Sequence, residues 1–102
     1  QLTSVGDDHG SLLTPDSYNL AQNYPNPFNP STTISYQLPT QSYVTLKVFD
    51  VLGREVATLV DAVETSGYKS INFDASRLSS GVYYYRLSAG SFLEIKKLLF
   101  MK

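Results

Sequence analysis

The chain has 102 residues, enough for one domain that buries roughly two-thirds of its extended-chain surface. Its 8 basic and 9 acidic residues balance, which argues against nucleic acid as a partner, because a clustered basic excess is the footprint of that function. Cysteine is absent, which excludes a disulfide framework and a thiol nucleophile, while 8 Tyr and 5 Phe supply large apolar side chains in a chain without Trp.

Residues 1–19 read as a flexible linker, with Gly6, Asp7, Asp8, Gly10 and Pro15 among only scattered apolar residues. Gln1 is not a start residue, and residues 1–23 lack a basic start followed by an apolar block. The chain is therefore read as a piece from the C-terminal end of a longer protein. Its longest apolar run, Leu98–Met101, is far too short to span a membrane.

A short strand is expected near Leu20–Asn23, leading into Asn23-Tyr24-Pro25-Asn26-Pro27-Phe28-Asn29-Pro30-Ser31-Thr32. Each proline fixes its φ, removes a donor and pushes the preceding residue toward extended conformations, so neither a helix nor a central strand runs through. A rigid, irregular segment is expected, pinned by the rings of Tyr24 and Phe28 and by Asn side chains that bond nearby backbone.

Thr33–Leu38 then alternates, with Ile34, Tyr36 and Leu38 on one face and Ser35 and Gln37 on the other. After a turn at Pro39-Thr40-Gln41, Val44, Leu46 and Val48 face the core, and Tyr43, Thr45, Lys47 and Phe49 face away. Asp50–Arg54 reads as a hairpin loop with Gly53 at positive φ. The strand over Glu55–Asp61 has an ambiguous phase because Leu59 and Val60 adjoin, which a bulge would resolve. Tyr68–Phe73 is the next strand. Asp74–Gly81 is too short for a helix and is expected to make one turn, capped by Asp74, that crosses between sheets. Val82–Ser88 and Phe92–Met101 close the series as a hairpin over Ala89-Gly90.

Short strands at intervals of about 8–12 residues imply a sandwich. The series Leu78-x-x-Gly81-x-Tyr83-x-Tyr85-x-Leu87 makes it immunoglobulin-like. Tyr83 is placed to return its hydroxyl to the preceding corner, and Tyr85 sits where antibody domains put their second cysteine. The expected fold is all-β, a seven-stranded antiparallel immunoglobulin-like β-sandwich over residues 20–102. Its expected core includes Ile34, Tyr36, Leu46, Val48, Val56, Ile71, Phe73, Tyr83, Tyr85 and Leu87.

Taken together, five ordered motifs resemble a known family. They are Asn23–Thr32 (with Asn23, Pro25, Asn26, Pro27, Phe28, Asn29 and Pro30), Val44-x-Leu46-x-Val48-x-Asp50-x-x-Gly53-Arg54-x-Val56, Phe73-Asp74-Ala75-Ser76, Ser79-Ser80-Gly81-Val82-Tyr83, and Lys96-Lys97-Leu98-Leu99. They resemble the type A C-terminal sorting domain of the type IX (Por) secretion system, over about residues 20–102. The resemblance implies a non-enzymatic secretion signal without cofactors. It implies a passenger on the N-terminal side, exported through the periplasm to the outer-membrane surface or beyond. The expected partners are the outer-membrane type IX translocon and a sortase-like processing protease, and the domain is expected to be a monomer. The alternative reading is an accessory module for polysaccharide or protein attached to a secreted hydrolase.

No catalytic, cofactor or metal constellation is read from the residues. His9 is the sole histidine and sits in the linker. Asp50, Asp61 and Asp74 fall where carboxylates cap turns, and no Asp-x-Asp-x-Asp-Gly calcium loop exists. Serines lack a base for a Ser-His-Asp arrangement. In Tyr83-Tyr84-Tyr85 only Tyr84 should point outward, too little for a carbohydrate platform. Lys96, Lys97, Leu98 and Leu99 are the candidate residues for translocon recognition. The lysines also suit an edge strand protected against aggregation, and the strand itself is suited to β-augmentation.

Overall fold

A computed structural model describes residues 14–102; the part of the linker expected over residues 1–13 lies outside the described residues. Seven strands follow: β1 (Asn19–Leu20), β2 (Ser31–Leu38), β3 (Ser42–Phe49), β4 (Glu55–Glu64), β5 (Gly67–Asp74), β6 (Gly81–Ala89) and β7 (Phe92–Phe100). They make two antiparallel sheets, β1-β2-β5 and β4-β3-β6-β7, an immunoglobulin-like sandwich. Here β4 joins the second sheet, whereas constant-type domains keep their fourth strand in the first.

Period-two patterning positions the core. Ile34, Tyr36 and Leu38 of β2 and Val44, Leu46 and Val48 of β3 are buried, as are Tyr83, Tyr85 and Leu87 of β6. Val56 and Ile71, expected in the core, are only half-buried. They lie on β4 and β5, edge strands that have no strand on one flank among the described residues. The register of β4 settles its ambiguous phase. Leu46 faces Val60 but Lys47 faces Thr58, and Val48 faces Ala57 but Phe49 faces Glu55. Leu59 and Val56 are thus extra residues in two bulges, a device that twists an edge strand away from foreign pairing.

The Asp74–Gly81 connection is as expected: the Leu78 N–H donates to the Ala75 carbonyl in a single turn, the Asp74 carboxylate accepts from the Ser76 N–H, and the segment crosses between sheets. Two other features differ from expectation. The β6–β7 turn is Gly90-Ser91 rather than Ala89-Gly90, because Ala89 pairs with Phe92. Gly90 has φ +59°, as the first position of a type II′ turn requires. Asp61 lies inside β4 and accepts from the Tyr43 hydroxyl, so it caps no turn.

Chain order now distinguishes two ends of the sandwich. At one lie residues 14–18, the β2–β3 and β4–β5 connections and the β6–β7 turn. At the other lie the proline motif, loop 50–54, the 75–80 crossover and Met101-Lys102. At the first end, Pro15 is buried, Tyr18 stacks on Phe92 at 5.3 Å and Tyr18 shares a hydrogen bond with Ser42, so ordered contacts begin ahead of Leu20.

Tyr85 joins the sheets. It projects from β6, and its hydroxyl donates to the Ala21 carbonyl at 2.7 Å while accepting from the Asn23 N–H at 2.8 Å. Burial raises its pKa to about 12, so the phenol remains protonated and can donate at neutral pH. Tyr83 makes the corner expected of it, donating to the Ser79 carbonyl at 2.6 Å. Replacing Tyr85 with Ala should cost roughly 3–5 kcal/mol in urea unfolding. Tyr85→Phe keeps the ring but strands the buried Asn23 N–H and the part-buried Ala21 carbonyl, and should cost about 1–3 kcal/mol. A Phe variant as stable as the parent would show that the hydroxyl contributes nothing.

Candidate functional site

The proline motif is built around Asn23. Its side chain is buried, yet each polar atom has a partner: Nδ2 donates to Thr32 Oγ1 at 3.0 Å and to the Pro25 carbonyl at 3.2 Å, and Oδ1 accepts from Gln22 Nε2 at 2.7 Å. An aspartate could not make the two donations. Thr32 Oγ1 donates onward to Pro25 at 2.8 Å, closing a ring of bonds across the motif. The peptide bonds preceding Pro25, Pro27 and Pro30 are cis. Phe28 is buried against Phe100 and Phe73, with ring centroids 5.2 and 6.3 Å away. Tyr24, expected to pin the motif with its ring, instead holds by its backbone, which exchanges hydrogen bonds with Thr33 while the ring stays in solvent.

This segment changes sheets. Its first part pairs with β2, and its second part lies along the free edge of β7. Phe28 donates from its N–H to the Leu99 carbonyl and accepts from the Met101 N–H, both at 3.1 Å. Asn26 Oδ1 accepts from the Leu99 N–H, and Gln22 Nε2 donates to the Lys97 carbonyl. Backbone groups that would invite strand addition between Lys97 and Met101 are therefore occupied.

The terminal candidates separate accordingly. Leu98 is fully buried, so a partner of the folded domain cannot touch its side chain. Leu99 is half-buried with its backbone engaged. Lys96 lies on the inward phase of β7 at the open flank of the sandwich, its ammonium 3.3 Å from Glu94. Lys97 is exposed on the outer face.

Asp50, Gly53 and Arg54 act together in loop 50–54. One Asp50 oxygen accepts from the Leu52 and Arg54 N–H groups, each at 2.9 Å, and the other accepts from Arg54 Nε at 2.8 Å. Gly53, at φ +83°, donates to the Asp50 carbonyl. The closed loop leaves Val51 and Leu52 66% and 73% exposed, high values for side chains of this kind. Beside it, Phe49, Val51, Tyr84, Arg86 and Ile95 line a shallow groove of about 410 Å³. Arg86 lies over the Phe49 ring at 4.7 Å, and Lys97 faces Tyr84 in the β6–β7 register. Sequence reading missed this groove, because it joins residues of three strands and a loop. Gly81 starts β6 at the same end with φ +150°, where a side chain would be strained. The motif residues therefore converge on one end, opposite residues 14–18.

A family model described as a secretion system C-terminal sorting domain matches residues 22–101. The chain belongs to this family. The sorting domain is a C-terminal signal for type IX secretion, which implies export to the cell surface or the extracellular space. Sorting domains of this family are non-catalytic and serve a passenger in cis. No curated protein matches the chain.

The Asp50 carboxyl is held below the usual carboxylate range, chiefly by the Arg54 N–H and further by the Arg54 side chain and the Leu52 N–H. A folded-state value below the unfolded one gives stability that is whole above about pH 4 and lost as pH falls through the lowered value. An NMR titration should therefore show Asp50 ionising below a free aspartate, with the loop amides of Leu52 and Arg54 shifting in step. A midpoint at or above the ordinary value would refute the cap.

Proposed function

We propose that the sorting domain delivers an N-terminal passenger, folded in the periplasm, to the outer-membrane type IX translocon, and that it performs no catalysis itself. The family match over residues 22–101 carries this reading. The surface we assign to the translocon is the end bearing the motifs: exposed Val51 and Leu52, the groove beside them, and Lys97. Its apolar loop tip and adjacent cation suit a protein partner, and its distance from residues 14–18 leaves it clear of a passenger. A sortase-like protease would cut ahead of Pro15, since a protease needs an extended, unpaired strand and Pro15 and Tyr18 are held against the sandwich.

Fusion of the chain to an exported fluorescent protein in a type IX-competent bacterium tests the assignment. The parent fusion should reach the surface. Replacing Lys96 and Lys97 with Ala should reduce export while leaving the melting temperature nearly unchanged, because Lys97 is exposed and the solvent-accessible Lys96–Glu94 pair at the open flank contributes little to folding. Val51→Ser with Leu52→Ser should behave likewise. Deleting Leu98–Lys102 should abolish export and folding together, since it removes buried Leu98 and Phe100. Normal export of both surface variants would rule out this end as the signal.

A further inference from the structure

The outer faces of the two sheets differ in chemistry. That of β4-β3-β6-β7 carries Lys47, Glu55, Arg86 and Lys97 among its apolar groups. That of β1-β2-β5 presents Asn19, Thr33, Ser35, Gln37, Ser70 and Asn72, with Asp74 at the end of β5 on the same phase; among the described residues its central rows carry no charged side chain. Lys69, on the opposite phase of β5, borders the depression beside Tyr68, and its ammonium donates to Thr65 Oγ1 at 3.2 Å.

Two aromatic rings stand on this polar face. Tyr24 is 81% exposed and Tyr68 is 62% exposed. Tyr24 lies beside Thr33 on the β1 side, and Tyr68 lies beside Gln37 on the β5 side, so they occupy diagonally opposite corners. Four residues of β2 and two strand spacings separate them, on the order of 16 Å along the diagonal. Between them, Ala21, Ser35 and Ser70 form a low middle row, and a shallow depression of about 290 Å³ opens beside Tyr68. Gln37 donates through Nε2 to the Ser17 carbonyl at 2.9 Å, which fixes its amide plane and leaves Oε1 turned to accept.

We propose that this face binds a neutral glycan lying diagonally from Tyr24 to Tyr68. The apolar faces of pyranose rings stack on the two tyrosines, and sugar hydroxyls meet the hydroxyls and amides between them. Such groups both donate and accept, as a polyol requires. The central rows carry no charge, which matches an uncharged ligand; an acidic polysaccharide would find one cation, Lys69 at the border of the depression, and would meet Asp74 at the far end of β5. The separation of the rings calls for an oligosaccharide rather than a single sugar. This site lies on the outer face of β1-β2-β5 and touches the motif-bearing end only through Tyr24, whereas loop 50–54, its groove and Lys97 lie with the other sheet.

Affinity electrophoresis of the full chain through native gels containing hydroxyethylcellulose, laminarin or galactomannan, with alginate as an acidic control, tests this. At least one neutral polymer should retard the protein, and alginate should not. Tyr24→Ala with Tyr68→Ala should weaken the retardation about tenfold or more, while circular dichroism and melting stay at parent values because both rings are exposed. Tyr84→Ala, on the other sheet, should leave it intact. Retardation by none of the neutral polymers would overturn the proposal, as would equal retardation of the double variant or preference for alginate. A dimer in sedimentation that the double variant abolishes would instead assign the face to a second copy, and would overturn it too.

Discussion

The sandwich depends on the clasp between the Tyr85 hydroxyl and the backbone of Ala21 and Asn23. In a domain without cysteine, nothing covalent ties one sheet to the other, and aromatic stacking alone has no directionality. A buried phenol that both donates and accepts supplies direction. It holds the N-terminal segment at the height where Asn23 can organise the proline motif. Antibody domains place a cysteine at this position of the penultimate strand, and the tyrosine performs a comparable cross-sheet role by reaching further.

From that clasp the purpose of the proline motif follows. A segment that leaves one sheet and joins the edge of another must pass through backbone that belongs to neither. Each proline removes a donor that would otherwise need a partner there, and the Asn side chains satisfy much of what is left. Phe28 then anchors the second half of the motif against Phe100, and the last strand is covered along half its edge by residues some seventy positions earlier in the chain. The C-terminal strand is consequently a finished part of the fold rather than a free ribbon. Any partner of the folded domain meets a strand whose backbone is already engaged between Lys97 and Met101.

The two outer faces differ in chemistry. One is amphipathic and charged, continuous with the end where the family motifs gather. The other is polar, its central rows without charge among the described residues, with two exposed rings. A small sandwich has little spare surface, and the exposure of Tyr24 and Tyr68 is unneeded by a core from which both point away.

Much of this was legible in the sequence. Alternation in 33–38 and 44–48 fixes which side chains enter the core, because the strand period is two and leaves no other choice. The Gly53 turn, the Tyr83 corner and the bulge at Leu59-Val60 each have a local cause and were read correctly. The ordered motifs named the family. What tertiary structure alone decided is long-range. Val56 and Ile71 are patterned like core residues, but strand order places them on edges. Tyr24 looks like an anchor, but backbone pairing with Thr33 turns its ring outward. Leu98 looks available in a terminal tail, but pairing of β7 with β6 buries it. Local periodicity states which face a residue shares with its neighbours in the chain; only the assembly of the sheets determines whether that face is covered.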